Sequence, residues 1–306
     1  MEETFFYPLK LCLPHSADTR LRSESMDLRQ SALTVLEETS RTFFIPINRL
    51  PDGLKEAVAS GYLCMRAIDE VEDHPHLDLI TKAQILRQMS VNLQQGREDS
   101  RAEDFAIGLA PWKDQMPEVS WRLGDWAMLA PADIAPRIWD ATAAMADRMA
   151  YWAERNWEIK TEADLDCYTF SVAGAVGLML SDLWGWFDGT QTNRLQAIGF
   201  GRGLQSVNIL RNHQEDSQRG VTFYPAGWSH SEMHHYAQRN LALADAYTNG
   251  LKAGPVQDFC KLPLNLAHAT LNALMLGQDK LTRDQVKSIV EETYTPLEVP
   301  REIAIG

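Results

Sequence analysis

The residues whose types and spacing point most directly to chemistry are Asp69 and Asp73, in the run Arg66-Ala67-Ile68-Asp69-Glu70-Val71-Glu72-Asp73. On an α-helix, residues four apart share a face with Cβ atoms about 5–6 Å apart, so the two carboxylates repel unless a cation lies between them. An oxygen-only pair suits Mg²⁺, which takes carboxylates together with phosphate oxygens and water. Arg66, three residues before Asp69, lies on the same face and can hold a phosphate that the metal also touches. A solvated acidic helix end fits the run as well, since charge runs usually face water. A second stretch shifts the balance. Asn208, Asn212 and Asp216 recur every four residues, stacking three oxygen-bearing side chains on one helical face, while Leu204, Val207 and Leu210 keep that helix packed.

Taken together, Tyr62–Asp73 and Leu204–Gly220 resemble the two acidic signatures of the squalene and phytoene synthase family. Ser40-Arg41-Thr42-Phe43 upstream and Tyr168–Gly177 in the middle agree, so four motifs stand in family order between residues 40 and 220. The resemblance implies an all-α, single-domain orthogonal helical bundle of the isoprenoid synthase type around a central cavity. It also implies a Mg²⁺-dependent prenyltransferase that ionises an allylic prenyl diphosphate, farnesyl or geranylgeranyl, and couples it head to head. Such a reaction needs a Lewis acid on the leaving pyrophosphate, fixed positive charge around it, and a cavity that keeps water from the cation. By resemblance, Asp69 and Asp73 bind metal from one helix, and Asn208, Asn212 and Asp216 from the facing one. Arg66 and Arg211 bind diphosphate oxygens, with Gln205, Ser40 and Arg41 as further contacts. Tyr168, Phe43, Phe170 and Tyr62 can stabilise positive charge through their ring faces, although aromatic residues at helical spacing also serve as plain core.

Two departures from the family pattern bear on the outcome. Asn212 stands where the second signature usually begins with aspartate, so the cluster loses a negative ligand and should hold metal less tightly. Coupling needs two ionisations, and a weakened site can support the first and fail at the later one. Capture of the cation by water then gives a prenyl alcohol, in effect a diphosphatase. A cyclised terpene or a prenylated aromatic acceptor are the other fates, and a catalytically silent isoprenoid-binding protein is a third reading. The second departure is near the C-terminus, where Leu266-Ala267-His268-Ala269-Thr270 replaces the family's Tyr-Arg pair. NADPH is needed only if the product is reduced, and the family uses no glycine-rich dinucleotide fingerprint, so the absence of one decides nothing. His230, His234 and His235 form the other metal-like cluster, but without the H-E-x-x-H order of a zinc hydrolase they read as a solvated helix start.

Composition sets the bounds. Hydrophobic residues are 45% of the 306, ample for a core and against disorder. Lys+Arg 29 against Asp+Glu 42 give a net charge of −13, which disfavours nucleic acid and anionic lipid as long-range partners. An anionic substrate therefore requires metal and arginine to reverse the field locally. Cys12, Cys64, Cys167 and Cys260 are scattered and read as reduced thiols of a cytoplasmic protein. No basic-then-apolar leader is seen, and no segment is expected to reach the roughly 18–20 apolar residues of a membrane span. The C-terminal anchor of eukaryotic family members is not apparent either, so membrane contact is expected only transiently, at product release.

The elements that must position these residues read as helices throughout. Residues 1–26 read as an irregular arm and 27–306 as one helical domain. Helices are expected from Met26 to Phe44, with Pro46 as the stop, and from an Asp52 N-cap to Asp73, ended by His74-Pro75. Others run from Leu77 to Gly96, Ile134 to Trp157, Thr192 to Gly220, Ser231 to Lys252, Pro255 to Leu276 and Thr282 to Tyr294. Short helices fill Arg97 to Pro131. Thr161 and Asp164 open a further helix through Trp184, whose Ala173, Gly174 and Gly177 imply close approach by a neighbouring helix or by a long apolar ligand.

Overall fold

The computed structural model describes residues 15–218 and 220–294, with side chains from Asp27 onward except that of Arg41. These residues form thirteen α-helices and no strand. In order they are α1 (His15–Thr39), α2 (Arg41–Asn48), α3 (Leu54–Glu72), α4 (Leu79–Gln94), α5 (Glu118–Trp121), α6 (Leu123–Met128) and α7 (Ala135–Glu154). After them come α8 (Glu162–Thr169), α9 (Ala175–Asp188), α10 (Arg194–Gln218), α11 (His230–Gly250), α12 (Pro255–Met275) and α13 (Arg283–Tyr294). Two 3₁₀ turns at Ala102–Ala106 and Ala110–Gln115 complete the expected region of short pieces.

The first helices differ from expectation at their boundaries. α1 begins at His15, which corrects the irregular reading of residues 1–26 from residue 15 on; residues 1–14 lie outside the described residues. Pro14 precedes it and no Gly or Pro interrupts it, and Leu28, Ala32, Val35 and Leu36, at the steps of one helical face, pack it onto the core. It ends before Ser40, whose Oγ accepts from the Phe43 N–H at 3.2 Å and caps α2. Pro46 lies inside α2 instead of stopping its predecessor. The cap of α3 is Gly53 and not Asp52: a φ of +83° there suits glycine, and the Glu56 carboxylate accepts the Gly53 N–H.

Thr161 and Asp164 form the expected capping box, with bonds of 3.1 and 2.9 Å. The helix they open is not regular, because a π-helical turn at Phe170–Gly174 joins α8 to α9. Segment Glu162–Asp188, with a mean hydropathy of 1.3 over an 18-residue window, is by length and composition apolar enough to cross a membrane, contrary to expectation. It packs within the bundle against α10. There the backbones nearly touch: a Cβ on Gly177 would lie 1.9 Å from the Ala197 carbonyl oxygen, and one on Gly201 would lie 2.0 Å from that of Ala173. A neighbouring helix therefore explains these small residues. Cys64 and Cys260 are buried, and Cys167 is exposed.

Candidate active site

Between α3 and α10 lies a cavity of about 250 Å³. α3 contributes Val58, Tyr62, Met65, Arg66 and Asp69, and α10 contributes Gly201, Leu204, Gln205 and Asn208. Both stripes follow the three- and four-residue steps of one helical face, and both pass from apolar to polar toward the C-terminal end of their helix. Val58 to Asp69 spans about 16 Å at 1.5 Å per residue, so the space has a polar rim and an apolar depth. Val172, Ala173, Met179 and Phe259 wall the depth, with Phe43 from α2. The π turn supplies Val172 and Ala173; such turns recur at functional sites.

At the rim, Asp69, Glu72 and Asp73 each bring an oxygen within 4.8 Å of the others. Burial, followed by the charge of Asp73, pushes the Asp69 carboxyl up to about 7. Glu72 is raised as well, first by burial and then by Asp73 and Asp69, while the Trp157 indole and the Lys82 ammonium pull the other way. Lys82 is buried and donates to the Glu72 carbonyl. Burial and neighbouring negative charge hold Asp69 and Glu72 against ionisation, and the hard oxygen donors of Asp69, Glu72 and Asp73 fit Mg²⁺. Glu72 was not singled out from the sequence, although its three-residue offset from Asp69 was the available signal.

Arg66 donates to Asp69 at 3.1 Å and also to Glu70. Burial pulls its guanidinium down, and those two carboxylates more than restore it. On the facing helix, Asn208 and Gln205 line the cavity, Asn212 is half-buried and Asp216 is buried. Arg211 departs from its expected place. It is exposed and outside the cavity lining, and its Nε donates to Asn212 Oδ1 at 3.1 Å, because its position on α10 turns it off the ladder face. The side chain of Arg41 lies outside the described residues. Ser40 is a cap that also hydrogen-bonds Tyr62, whose phenol is raised chiefly by burial.

Of the four aromatic residues, Phe43 and Tyr62 face the cavity with ring centroids 5.6 Å apart. Phe170 does not line it; the Arg148 guanidinium stands 5.0 Å from its ring centroid, because the π turn rotates it away. Tyr168 is buried and holds its proton well above the ordinary value, through burial and then the charges of Glu72, Asp69, Asp73 and Asp216. Both acidic faces thus reach one phenol. Phe223 stacks on its ring at 4.6 Å and Trp152 meets it at 5.6 Å and 87°, so only the face away from Phe223 remains for a cation. Sequence reasoning missed Phe223, which no spacing relates to Tyr168. The histidines expected at a solvated helix start are the exposed His230 and His235 and the half-buried His234.

The site is thus an all-α bundle with carboxylates and amides on two helices at one end of an apolar cavity. The squalene/phytoene synthase profile matches residues 36–234, and the chain belongs to that family. It is 28% identical to the squalene synthase of Schizosaccharomyces pombe over 80% of this chain and 59% of the relative. With the squalene synthase of Dictyostelium discoideum the identity is 27%, over 88% and 71%. The chain thus spans about three fifths of the first relative's length. A ligand complex of TcSQS superposes with a TM-score of 0.71 at 22% identity, covering 88% of this chain and 86% of that one. A dehydrosqualene synthase complex gives 0.63 at 15%, covering 89% and 96%. At such identities the superpositions establish the fold.

Proposed function

We propose that this protein ionises an allylic prenyl diphosphate, farnesyl or geranylgeranyl, with Mg²⁺ and couples it head to head with a second prenyl diphosphate. The observation carrying this reading is an apolar cavity whose rim bears Asp69 and Arg66 from α3 and Gln205 and Asn208 from α10, beside the converging carboxylates of Asp69, Glu72 and Asp73. Asp69, Glu72 and Asp73 would hold metal from α3, and Asn208, Asn212 and Asp216 from α10. Mg²⁺ held there would supply Lewis-acid stabilisation for the charge of a departing pyrophosphate. Arg66 passes from its carboxylate partners to diphosphate oxygens, with Gln205 beside it. Tyr168 keeps its proton and donates a hydrogen bond at the rim. Phe43 and Tyr62 face the carbon chain, and the apolar wall excludes water from the cation.

One observation favours a second reading, ionisation without coupling. Asn212 brings no charge, and its oxygen already accepts from Arg211, so the α10 rim holds metal more weakly and the cation passes to water, to ring closure or to an aromatic acceptor. The deciding experiment incubates the protein with farnesyl diphosphate and Mg²⁺, with and without NADPH, and follows pyrophosphate and extracted lipids. A C30 hydrocarbon supports coupling, reduced only when NADPH is present if the protein uses it. Farnesol or a cyclised C15 product supports the second reading. No pyrophosphate at all overturns both and leaves a binding protein.

A further inference from the structure

The connection from α10 to α11, residues 220–229, crosses the bundle as a strap fixed to it at two points. The Val221 N–H donates to the Asp216 carbonyl at 3.0 Å, at the acidic end of α10, and the Ala226 N–H to the Lys160 carbonyl at 3.0 Å, just ahead of α8. The strap therefore ties the helix bearing the Asn/Asp ladder to the helix bearing Tyr168. Its consecutive aromatic residues serve opposite sides. Phe223 lies on the Tyr168 ring, nearly parallel at 19°. Tyr224 stacks on His213 of α10 with centroids 4.1 Å apart, and its hydroxyl shares a 2.8 Å hydrogen bond with His230 Nδ1 at the start of α11. Neither ring lines the cavity.

We infer that Phe223 and Tyr224 are positioning residues for Tyr168: Tyr224, clamped between His213 and His230, sets the strap so that Phe223 fixes the angle at which Tyr168 meets the rim. The inference rests on the head-to-head coupling reading for what Tyr168 does, and not for where it sits. A ring held by stacking from one side and by Trp152 at right angles loses its orientation when the stacking partner becomes aliphatic. Tyr224→Phe keeps the stack on His213 and removes only the bond to His230, so it acts on Tyr168 through Phe223 alone.

The test has a readout independent of turnover. The full chain is labelled with 3-fluorotyrosine, and the Tyr168 ¹⁹F resonance is assigned by its loss in Tyr168→Phe. The resonance is expected to move in Phe223→Leu and, by less, in Tyr224→Phe; a resonance unmoved in both overturns the inference. With farnesyl diphosphate and Mg²⁺, kcat in Phe223→Leu should fall by between about 10- and 10²-fold, the scale of a 1 Å misplacement, at nearly constant KM. A raised KM at unchanged kcat would make Phe223 a substrate contact and overturn the positioning role. If Phe223→Leu does not fold, Tyr224→Phe decides by the same resonance. A wild type that releases no pyrophosphate defeats the coupling reading, while the resonance still decides the strap.

Discussion

The rims on α3 and α10 both use helical spacing, packed into Asp69–Asp73 on one helix and drawn out over Asn208–Asp216 on the other, and they differ in charge. On α3, Asp69, Glu72 and Asp73 converge within 4.8 Å, and two of them are driven toward protonation. On α10 the corresponding ladder has two amides and one carboxylate, with Asn212 tied to Arg211. On the metal-binding reading proposed above, the charged α3 cluster would be the stronger cation site, and α10 would complete a site chiefly when a diphosphate adds its own oxygens. Only the α3 rim has a buried ammonium, Lys82, against its backbone, which holds the cluster's end turn in place.

Four changes break or sharpen this contrast. The largest effect is expected at the charged rim: Asp73→Asn should lower single-turnover pyrophosphate release by about 10²–10³-fold, the scale of losing a preorganised charge partner. A loss below tenfold would mean that α3 is not the primary metal face. Next, Gly201→Val should separate α10 from the π turn, since its Cβ would meet the Ala173 oxygen at 2.0 Å. Overpacking of this kind costs about 1–3 kcal/mol, read as a lowered thermal midpoint. Asn212→Asp makes the rims more alike. It should reduce the Mg²⁺ concentration for half-maximal activity by about tenfold, a difference of 1.4 kcal/mol, and shift products toward coupled C30 or C40 hydrocarbons. An unchanged mixture at unchanged Mg²⁺ demand would remove Asn212 as the limiting ligand.

The smallest effect concerns protons. The Asp69 carboxyl ionises at about 7 in the folded chain against an ordinary 3.8, so between those values the folded state binds more protons than the unfolded one. Its contribution to stability is fully present below 3.8 and is lost as pH rises through about 7. With its side chain 36% exposed, solvent screening limits the loss to about 1 kcal/mol. Metal-free Asp69→Asn should thus gain stability relative to wild type on going from pH 5 to pH 8. Equal thermal midpoints across that range would contradict the shift.

Most helices were legible because apolar periodicity survives in a single sequence, and the rim residues were legible because spacing of three or four fixes a helical face. Asp69, Asp73, Asn208 and Asp216 lie where that spacing puts them. Arg211 shows the limit: adjacency to Asn212 in sequence turned it outward, as a 100° step does on a helix. Glu72 was within reach of the same periodicity. Phe223 was not, since its partner is fifty-five positions away, the difference between 223 and 168, and only the path of a loop joins them. The π turn carries no compositional mark, and it moved Phe170 from the cavity to a surface under Arg148.

That turn also fixes how the chain can change. It holds one residue more than an α-helical turn, so deleting a single residue between Phe170 and Gly174 could restore a regular helix. The wider turn takes up that extra residue without a full step of rotation, so such a deletion would leave Gly177 near Ala197 and the α9 wall residues Val176, Met179 and Leu180 close to their places. An extra residue that would turn the rest of a regular helix by about 100° is here confined to Phe170–Gly174, so that Val172 and Ala173 of the turn and Val176, Gly177, Met179 and Leu180 of α9 all line one cavity.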